Sequence, residues 1–245
     1  DEDEFFEKLE GLMEVAKQSL EIKRKVLESF TDKGLYPYSK RYLRHVKEAY
    51  GKFWKNHFST IGIVGVNEAV LNLLGQNIAS RDGQAFAMKI LNFMRNRLAD
   101  YQEETDCIYN LEATPAEGTS YRLARIDKKR YRDIIFANQK QINSEHAEPF
   151  YTNSSQLPVD FSGDLFDALE HQETLQSLYT GGTVFHIFLG ERLHSWKSAA
   201  ELIKKVAWNS KLPYFTLTPT FSVCPTHGYT SGEHKLCPVC GATCE

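Results

Sequence analysis

Ser59-Thr-Ile-Gly-Ile-Val-Gly-Val66 is a short apolar run of β type with two glycines, and Asn67-Glu68-Ala69 behind it starts a helical pattern that continues to Asn77. A strand delivered straight into a helix is the repeating unit of a parallel sheet with helices packed outside it. The neighbouring segments repeat the alternation. Downstream, Phe86, Ile90, Phe93, Met94 and Leu98 recur at helical spacing within Gln84–Glu104, and Cys107–Leu111 reads as the next strand. Upstream, Phe5, Leu9, Leu12 and Ala16 share one face of a helix expected from Glu4 to Phe30, whose acidic start suits a helix N-terminus. The Lys-, Arg-, Tyr- and His-rich stretch from Lys33 to Lys55 has no glycine-rich turn that would cradle a phosphate, and is expected to be a solvated loop.

The strand at Cys107–Leu111 leads into Glu112-Ala-Thr114-Pro115-Ala116-Glu117-Gly118-Thr119-Ser120, in which Pro115 is expected to open a helix where its missing N–H costs nothing. Such a helix end exposes unsatisfied N–H groups, and its dipole favours an anion, so it is a candidate phosphate seat. An ordinary capped strand–helix junction is the competing reading, and Glu112 and Glu117 would repel a phosphate unless they face ribose hydroxyls. A basic helix, Tyr121–Phe136, and a polar loop lead to Tyr151-Thr-Asn153-Ser154-Ser155-Gln-Leu-Pro158, a cluster that more commonly satisfies its own backbone than a ligand. A helix over Asp164–Tyr179 then runs into Thr180-Gly181-Gly182-Thr183, where paired glycines allow close approach of a backbone or ligand. The strand Val184–Leu189, the helix Ser195–Asn209 and the strand Tyr214–Thr218 follow, with His186 read as a hydrogen-bonded core histidine.

Four of the five cysteines lie in the tail. Cys224-Pro-Thr-His227-Gly and Cys237-Pro-Val-Cys240-Gly each set two soft ligands three positions apart with a glycine behind, and the nine residues between His227 and Cys237 can fold back to complete a tetrahedron. The expected ion is Zn²⁺, and with all four positions filled by protein it is structural. Cys244 and His234 are alternatives to His227.

The chain has 245 residues, 42% of them hydrophobic and 12% aromatic, enough for a sizeable α/β core. A net charge of −3 argues against a general nucleic-acid or anionic-membrane binder. No signal peptide and no apolar run of spanning length occurs. With four cysteines in the tail around the knuckles and Cys107 unpartnered, a reducing cytoplasm fits best.

The order of five separated motifs resembles a family. STIGIVGVNEA, LEATPAEGTSYRLARID, YTNSSQLPV, YTGGTVFHIFLGE, and TPTFSVCPTHGY with CPVC are together similar to the anaerobic (class III) ribonucleoside-triphosphate reductases, over essentially the whole chain. The resemblance implies the C-terminal portion of a catalytic subunit. Residues 1–218 would then be part of the ten-stranded α/β barrel of ribonucleotide reductases and glycyl radical enzymes, and 219–245 a zinc-binding segment leading to a glycyl radical loop. It implies reduction of ribonucleoside triphosphates through a glycyl radical and a thiyl radical. Both radical-bearing residues are expected outside these 245 residues, because no finger-loop cysteine context is found, Cys107 reads as a buried strand thiol and Gly241 as a knuckle glycine. The resemblance makes Thr114, Pro115, Ala116, Glu117 and Gly118 the leading substrate-binding candidates and puts Asn67 and Glu68 near the barrel mouth, with Asn153, Ser154, Gly181 and Gly182 second. The metal ligands become Cys224, His227, Cys237 and Cys240, with histidine where many relatives carry cysteine. Implied partners are dNTP or ATP effectors, a radical-SAM iron–sulfur activating enzyme and a second copy in a homodimer.

Two other function classes compete. A different glycyl radical enzyme, a lyase, would share the barrel but lack the knuckles; nucleoside triphosphate binding separates the two. A zinc-ribbon binding module would need neither the α/β pattern ahead of the knuckles nor a charge balance this close to neutral.

Overall fold

The structure, a computed structural model, describes residues 1–158, 161, 164–189, 193, 195–219, 221–232 and 234–244. Thr220, Glu233 and Glu245 of the expected metal segment, and Val159, Gly190 and Glu191 at the ends of two motifs, lie outside them. The chain forms two compact units, Asp1–Phe161 with Leu178–Thr183, and Ser162–Ser177 with Val184–Glu245.

In the first unit α1 spans Glu2–Asp32, started by the Asp1 carboxylate, which accepts the Glu4 N–H at 2.9 Å. Its Phe6 packs against Phe86 and Phe93 at ring distances of 5.9 and 5.0 Å. These belong to α5, Arg81–Thr105, capped by Ser80. The stretch expected to be a loop holds two short helices, α2 (Pro37–Tyr42) and α3 (Arg44–Tyr50). Pro37 sits at a helix start, where it costs nothing, and Gly51 ends α3 at φ 73°. Beyond it the Glu28 carboxylate accepts the Phe53 and Trp54 N–H groups, which ties this basic segment to α1.

β1 (Phe58–Gly62) and β2 (Ile108–Glu112) pair in parallel, Phe58 opposite Ile108 and Gly62 opposite Glu112. Ser59, Ile61, Tyr109 and Leu111 are buried, with Tyr109 edge-on to Tyr101 of α5 at 5.8 Å. Side chains alternate along a strand, so Thr60, Asn110 and Glu112 lie on the opposite face. The strand expected to reach Val66 stops at Gly62, and α4 runs Val66–Leu74 behind Gly65, which holds φ 77°. The strand expected from Cys107 to Leu111 runs one residue later, and Cys107 is a small buried thiol just ahead of it.

α6 spans Glu117–Arg130, so Pro115 does not open it: Ala116 is the N-cap and Pro115 precedes it. The helix also stops six residues short of Phe136. Tyr131 turns extended after the basic last turn Lys128-Lys129-Arg130, and Phe136 folds back to pack on Ala124 and on Ile142 of α7 (Gln139–Glu145).

In the second unit α8 (Leu165–Gln176) starts with an Asp164 and Asp167 capping box and ends before the expected Tyr179. β3 (Phe185–Leu189) and β4 (Phe215–Pro219) pair in parallel across α9 (Trp196–Asn209). Leu169, Phe185, Ile187 and Val206 form its apolar core. β5 (Phe221–Cys224) and β6 (Gly228–Ser231) make an antiparallel hairpin. The expected α/β alternation with parallel pairing is present, and among the described residues the hairpin is the only antiparallel strand pair.

Candidate functional site

The end of β2 gathers most of the expected substrate residues. Gly181 donates its N–H to the Leu111 carbonyl at 2.7 Å, the Thr180 hydroxyl accepts from Leu111 at 2.9 Å, and Ala113 donates to the Gly182 carbonyl at 2.8 Å, so Thr180–Gly182 lies along β2. A Cβ on Gly181 would meet the Asn110 amide at 2.9 Å and the Leu111 carbonyl at 3.0 Å; glycine is needed for this approach. One on Gly62 would fall 1.8 Å from Thr114 Oγ1, so the Thr114 side chain occupies the space that Gly62 leaves open.

Beyond Thr114 the N-terminus of α6 faces solvent. Ala116 offers no side-chain cap, Glu117, Gly118 and Thr119 are exposed, and nothing lies within 4 Å of where a Gly118 Cβ would be. The Asn153 amide donates to Glu117 Oε1 at 3.3 Å while its own carbonyl accepts from Ser120 Oγ at 3.5 Å, which ties the loop to the first turn. Gly118, Tyr121, Arg122, Arg125 and Lys129 line one face of the helix. Free N–H groups, the positive helix end and three cations on one face suit an anion, and the two carboxylates suit hydroxyls.

Asn67, Glu68 and Ser154 are turned inward. The Glu68 carboxylate is only 2% exposed and accepts the Thr152 N–H at 2.9 Å, the Thr152 hydroxyl at 2.7 Å and the Asn67 amide at 3.1 Å. Asn67 Oδ1 accepts the Ile78 N–H, and the Thr152 and Ser154 carbonyls take the N–H groups of Gly65 and Val66. These residues bind the 151–155 loop to the start of α4, and a buried carboxylate with three donors is a satisfied one. Ser154 and Ser155 hydroxyls meet the Tyr179 hydroxyl at 3.3 and 2.8 Å. Thr60, Asn110 and Gly62 escaped the sequence reading; polar residues at alternate strand positions were the available signal.

In the tail, Cys224 Sγ lies 3.6 Å from Cys240 Sγ and 3.6 Å from His227 Nδ1, and Cys237 Sγ is 3.7 Å from the same nitrogen. All four ligand atoms fall within 4.8 Å of one another. A tetrahedral ion with arms of about 2.3 Å to sulfur would separate its ligands by about 3.8 Å, so the group has the right size for a zinc-class ion. Gly228 and Gly241, behind His227 and Cys240, hold φ 71°, a conformation that favours glycine. Backbone N–H groups of Cys240 and Val239 lower the Cys237 thiol to about 7, and those of His227 and Thr226 lower Cys224, so both favour the thiolate a metal needs. Cys244 and His234 are not in the four-atom group.

The family model of the anaerobic ribonucleoside-triphosphate reductases matches residues 1–245. The enzyme of that name from enterobacteria phage T4 is 25% identical over 199 residues, covering 78% of this chain and 30% of its own length. The one from Haemophilus influenzae is 24% identical over 193 residues, 74% of this chain and 25% of its own. The crystal structure of the Thermotoga maritima anaerobic ribonucleotide reductase with glycerol in the active site superposes with a TM-score of 0.67 at 22% identity, over 100% of this chain and 38% of that one. Its complex with dATP and CTP gives 0.69 at 21% identity, over 99% and 37%. The fold is therefore shared, and the chain spans well under half of each relative.

Proposed function

The chain belongs to the anaerobic ribonucleoside-triphosphate reductase family, and from that premise we propose that it is part of a catalytic subunit that removes the ribose 2′-hydroxyl from ribonucleoside triphosphates for DNA precursor synthesis. Residues 1–218 contribute to a ten-stranded α/β barrel, and 219–245 form a zinc segment leading toward the radical loop. Two parallel strand pairs, each with helices against one face, support the barrel reading.

The observation that carries the reading is the open α6 N-terminus at the end of β2. There the Glu117, Gly118 and Thr119 N–H groups receive the triphosphate, with Thr114, Pro115 and Ala116 shaping the approach and Asn153 steadying the first turn. Gly181 and Gly182 let the sugar come close to β2, where Glu112 meets its hydroxyls. Asn67, Glu68 and Ser154 serve the site by fixing the loop that carries Asn153. Cys224, His227, Cys237 and Cys240 hold a structural Zn²⁺ that anchors the tail. The glycyl radical and thiyl cysteine, placed outside these residues, supply the one-electron chemistry, while this chain binds the substrate, orients it and screens it from water. Further partners on this reading are dNTP or ATP effectors, a radical-SAM iron–sulfur activating enzyme and a second subunit, in the cytoplasm. No helix among the described residues is long and apolar enough to cross a membrane.

The test uses the complete protein, activated without oxygen. Conversion of a ribonucleoside triphosphate to its deoxy form is expected, and nucleotide affinity should fall about tenfold in Gly118→Asp, a charge effect at a helix end of roughly 1.4 kcal/mol, while Gly118→Ala stays close to wild type because the site has room for a Cβ. An aspartate variant binding as tightly as wild type removes the phosphate from this helix end.

A further inference from the structure

The basic segment between α1 and β1 takes no part in the site described above. From Lys33 to His57 it carries seven lysines and arginines against one carboxylate, Glu48, in a chain whose net charge is −3. Net charge is an average over the surface, and here the positive charge is gathered into one stretch. Elsewhere in the first unit cations meet carboxylates: Lys8 lies 2.6 Å from Glu4, Arg97 2.8 Å from Asp100, and Lys17 reaches Glu104. In this segment Arg44 pairs with Glu48 and Lys55 with Asp106. Among the described residues Lys33, Lys40, Arg41 and Lys47 form no ion pair. Lys40 donates instead to the Asp32 carbonyl at 2.5 Å, and Lys47 sits over the Phe53 ring at 5.0 Å.

The same segment leaves its aromatic rings in solvent. Tyr38, Tyr42 and Tyr50 are 77, 76 and 63% exposed. Tyr38, Arg41 and Tyr42 stand at i, i+3 and i+4 on α2, so two open rings and an exposed guanidinium share one helix face. The face is held in place. The Trp54 indole N–H donates to Thr31 Oγ1 at 3.0 Å, the Leu35 N–H to the Phe30 carbonyl at 2.9 Å, and the Tyr36 ring lies 6.2 Å from that of Phe30. With the Glu28 carboxylate on the Phe53 and Trp54 N–H groups, these contacts fasten both ends of the segment to α1. Rings and charges already in position lose little further freedom when a ligand arrives.

We propose that this surface binds single-stranded nucleic acid, without regard to base or sugar. The cations take backbone phosphates, and Tyr38 and Tyr42 take the faces of unpaired bases, which every base offers. An acidic polypeptide would satisfy the cations and leave the rings in water. A duplex has the denser charge but keeps its base faces inside the stack, so charge alone would favour the duplex and the rings favour the single strand. The inference does not rest on the reductase reading.

The complete protein is titrated at about 0.1 M salt with oligothymidylate and oligouridylate of about 16 nucleotides, with a duplex of the same length and with polyglutamate. The two single strands should bind alike and about tenfold tighter than the duplex. Tyr38→Leu with Tyr42→Leu, which keeps apolar bulk and removes the flat faces, should weaken single-strand binding at least tenfold while leaving duplex binding unchanged. Lys33→Gln with Arg41→Gln should lower the slope of log affinity against log salt by about 1.4, two phosphates' worth, for the single strands. All these side chains are exposed, and an unchanged circular dichroism spectrum and zinc content confirm that each variant is folded. Absence of single-strand binding overturns the proposal, as does a duplex that binds as tightly. Polyglutamate that displaces the oligonucleotide at equal charge, with the tyrosine variant unaffected, assigns the surface to an acidic protein segment instead. A preference above about tenfold for one sugar would mean that a 2′-hydroxyl is read, which stacking and phosphate contacts do not do. Deoxynucleotide formation is assayed separately, and its failure would remove the reductase reading while leaving this one standing.

Discussion

At the scale of single residues, the site depends on an absent side chain. Thr114 Oγ1 stands where a Cβ on Gly62 would be, 1.8 Å away, and Thr114 Cβ is 2.8 Å away. Neither atom is the end of a long flexible chain, so Gly62→Ala has to displace the residue that leads into the α6 N-terminus. We expect a cost of roughly 1–3 kcal/mol, in the range of other overpacking changes, seen as a lower denaturation midpoint, with weaker nucleotide binding besides. Adding Thr114→Gly to Gly62→Ala should recover part of the stability and none of the binding; a G62A protein as stable as wild type would mean that the strand ends separate freely.

Among the elements, the tail hairpin is the one whose stability is not explained by apolar packing. Phe221 and Tyr229 meet edge-on at 4.9 Å but remain largely exposed, and the buried groups include Ser222 and the thiols of Cys224 and Cys237. A structural zinc supplies about 10–16 kcal/mol in small zinc-binding peptides, enough to fold such a segment outright. Treating the protein with a chelator, or making Cys237→Ser, should remove one metal per chain. It should abolish hydrogen-exchange protection over the hairpin and leave the helical circular dichroism nearly unchanged; protection that survives metal loss would contradict this. Metal binding needs thiolates and a neutral imidazole, so the metal is released as acid protonates them; among the thiols, backbone N–H groups hold Cys224 and Cys237 down while burial and the neighbouring thiols push Cys240 up.

For the whole molecule, the first unit shares one electrostatic liability. Burial raises Tyr101, Tyr109, Tyr151 and Tyr179, and the Glu21 and Asp127 carboxylates that accept from Tyr109 and Tyr151 at 2.8 Å raise those two further. Unfolded tyrosines ionise near about pH 10 while these keep their protons, so above that pH the folded state binds more protons than the unfolded one and stability falls as pH rises. The melting temperature should drop steeply above about pH 10. Tyr109→Phe with Tyr151→Phe should flatten the drop, and an unchanged slope would place the loss elsewhere.

How much of this was legible beforehand follows from the range of the forces involved. Strand and helix periodicity is local, so the α/β alternation, the βα junction at Thr114–Gly118 and the grouping of Cys224, His227, Cys237 and Cys240 could be read from residue order. Helix ends are decided by competition with distant groups. Phe136 left the basic helix because Ala124 and Ile142 offered it a core, and Lys33–Lys55 became helical while tied to Glu28. The same competition sorted the polar candidates. Sequence names Asn67, Glu68 and Ser154 as hydrogen-bonding groups, but only the folded chain decides that Thr152 and Tyr179 consume them, because a buried polar atom takes whichever partner the surrounding strands and helices bring within reach. Conversely, His186 looked like core from its apolar neighbours, and the register with Thr216 put it on the open face of the sheet.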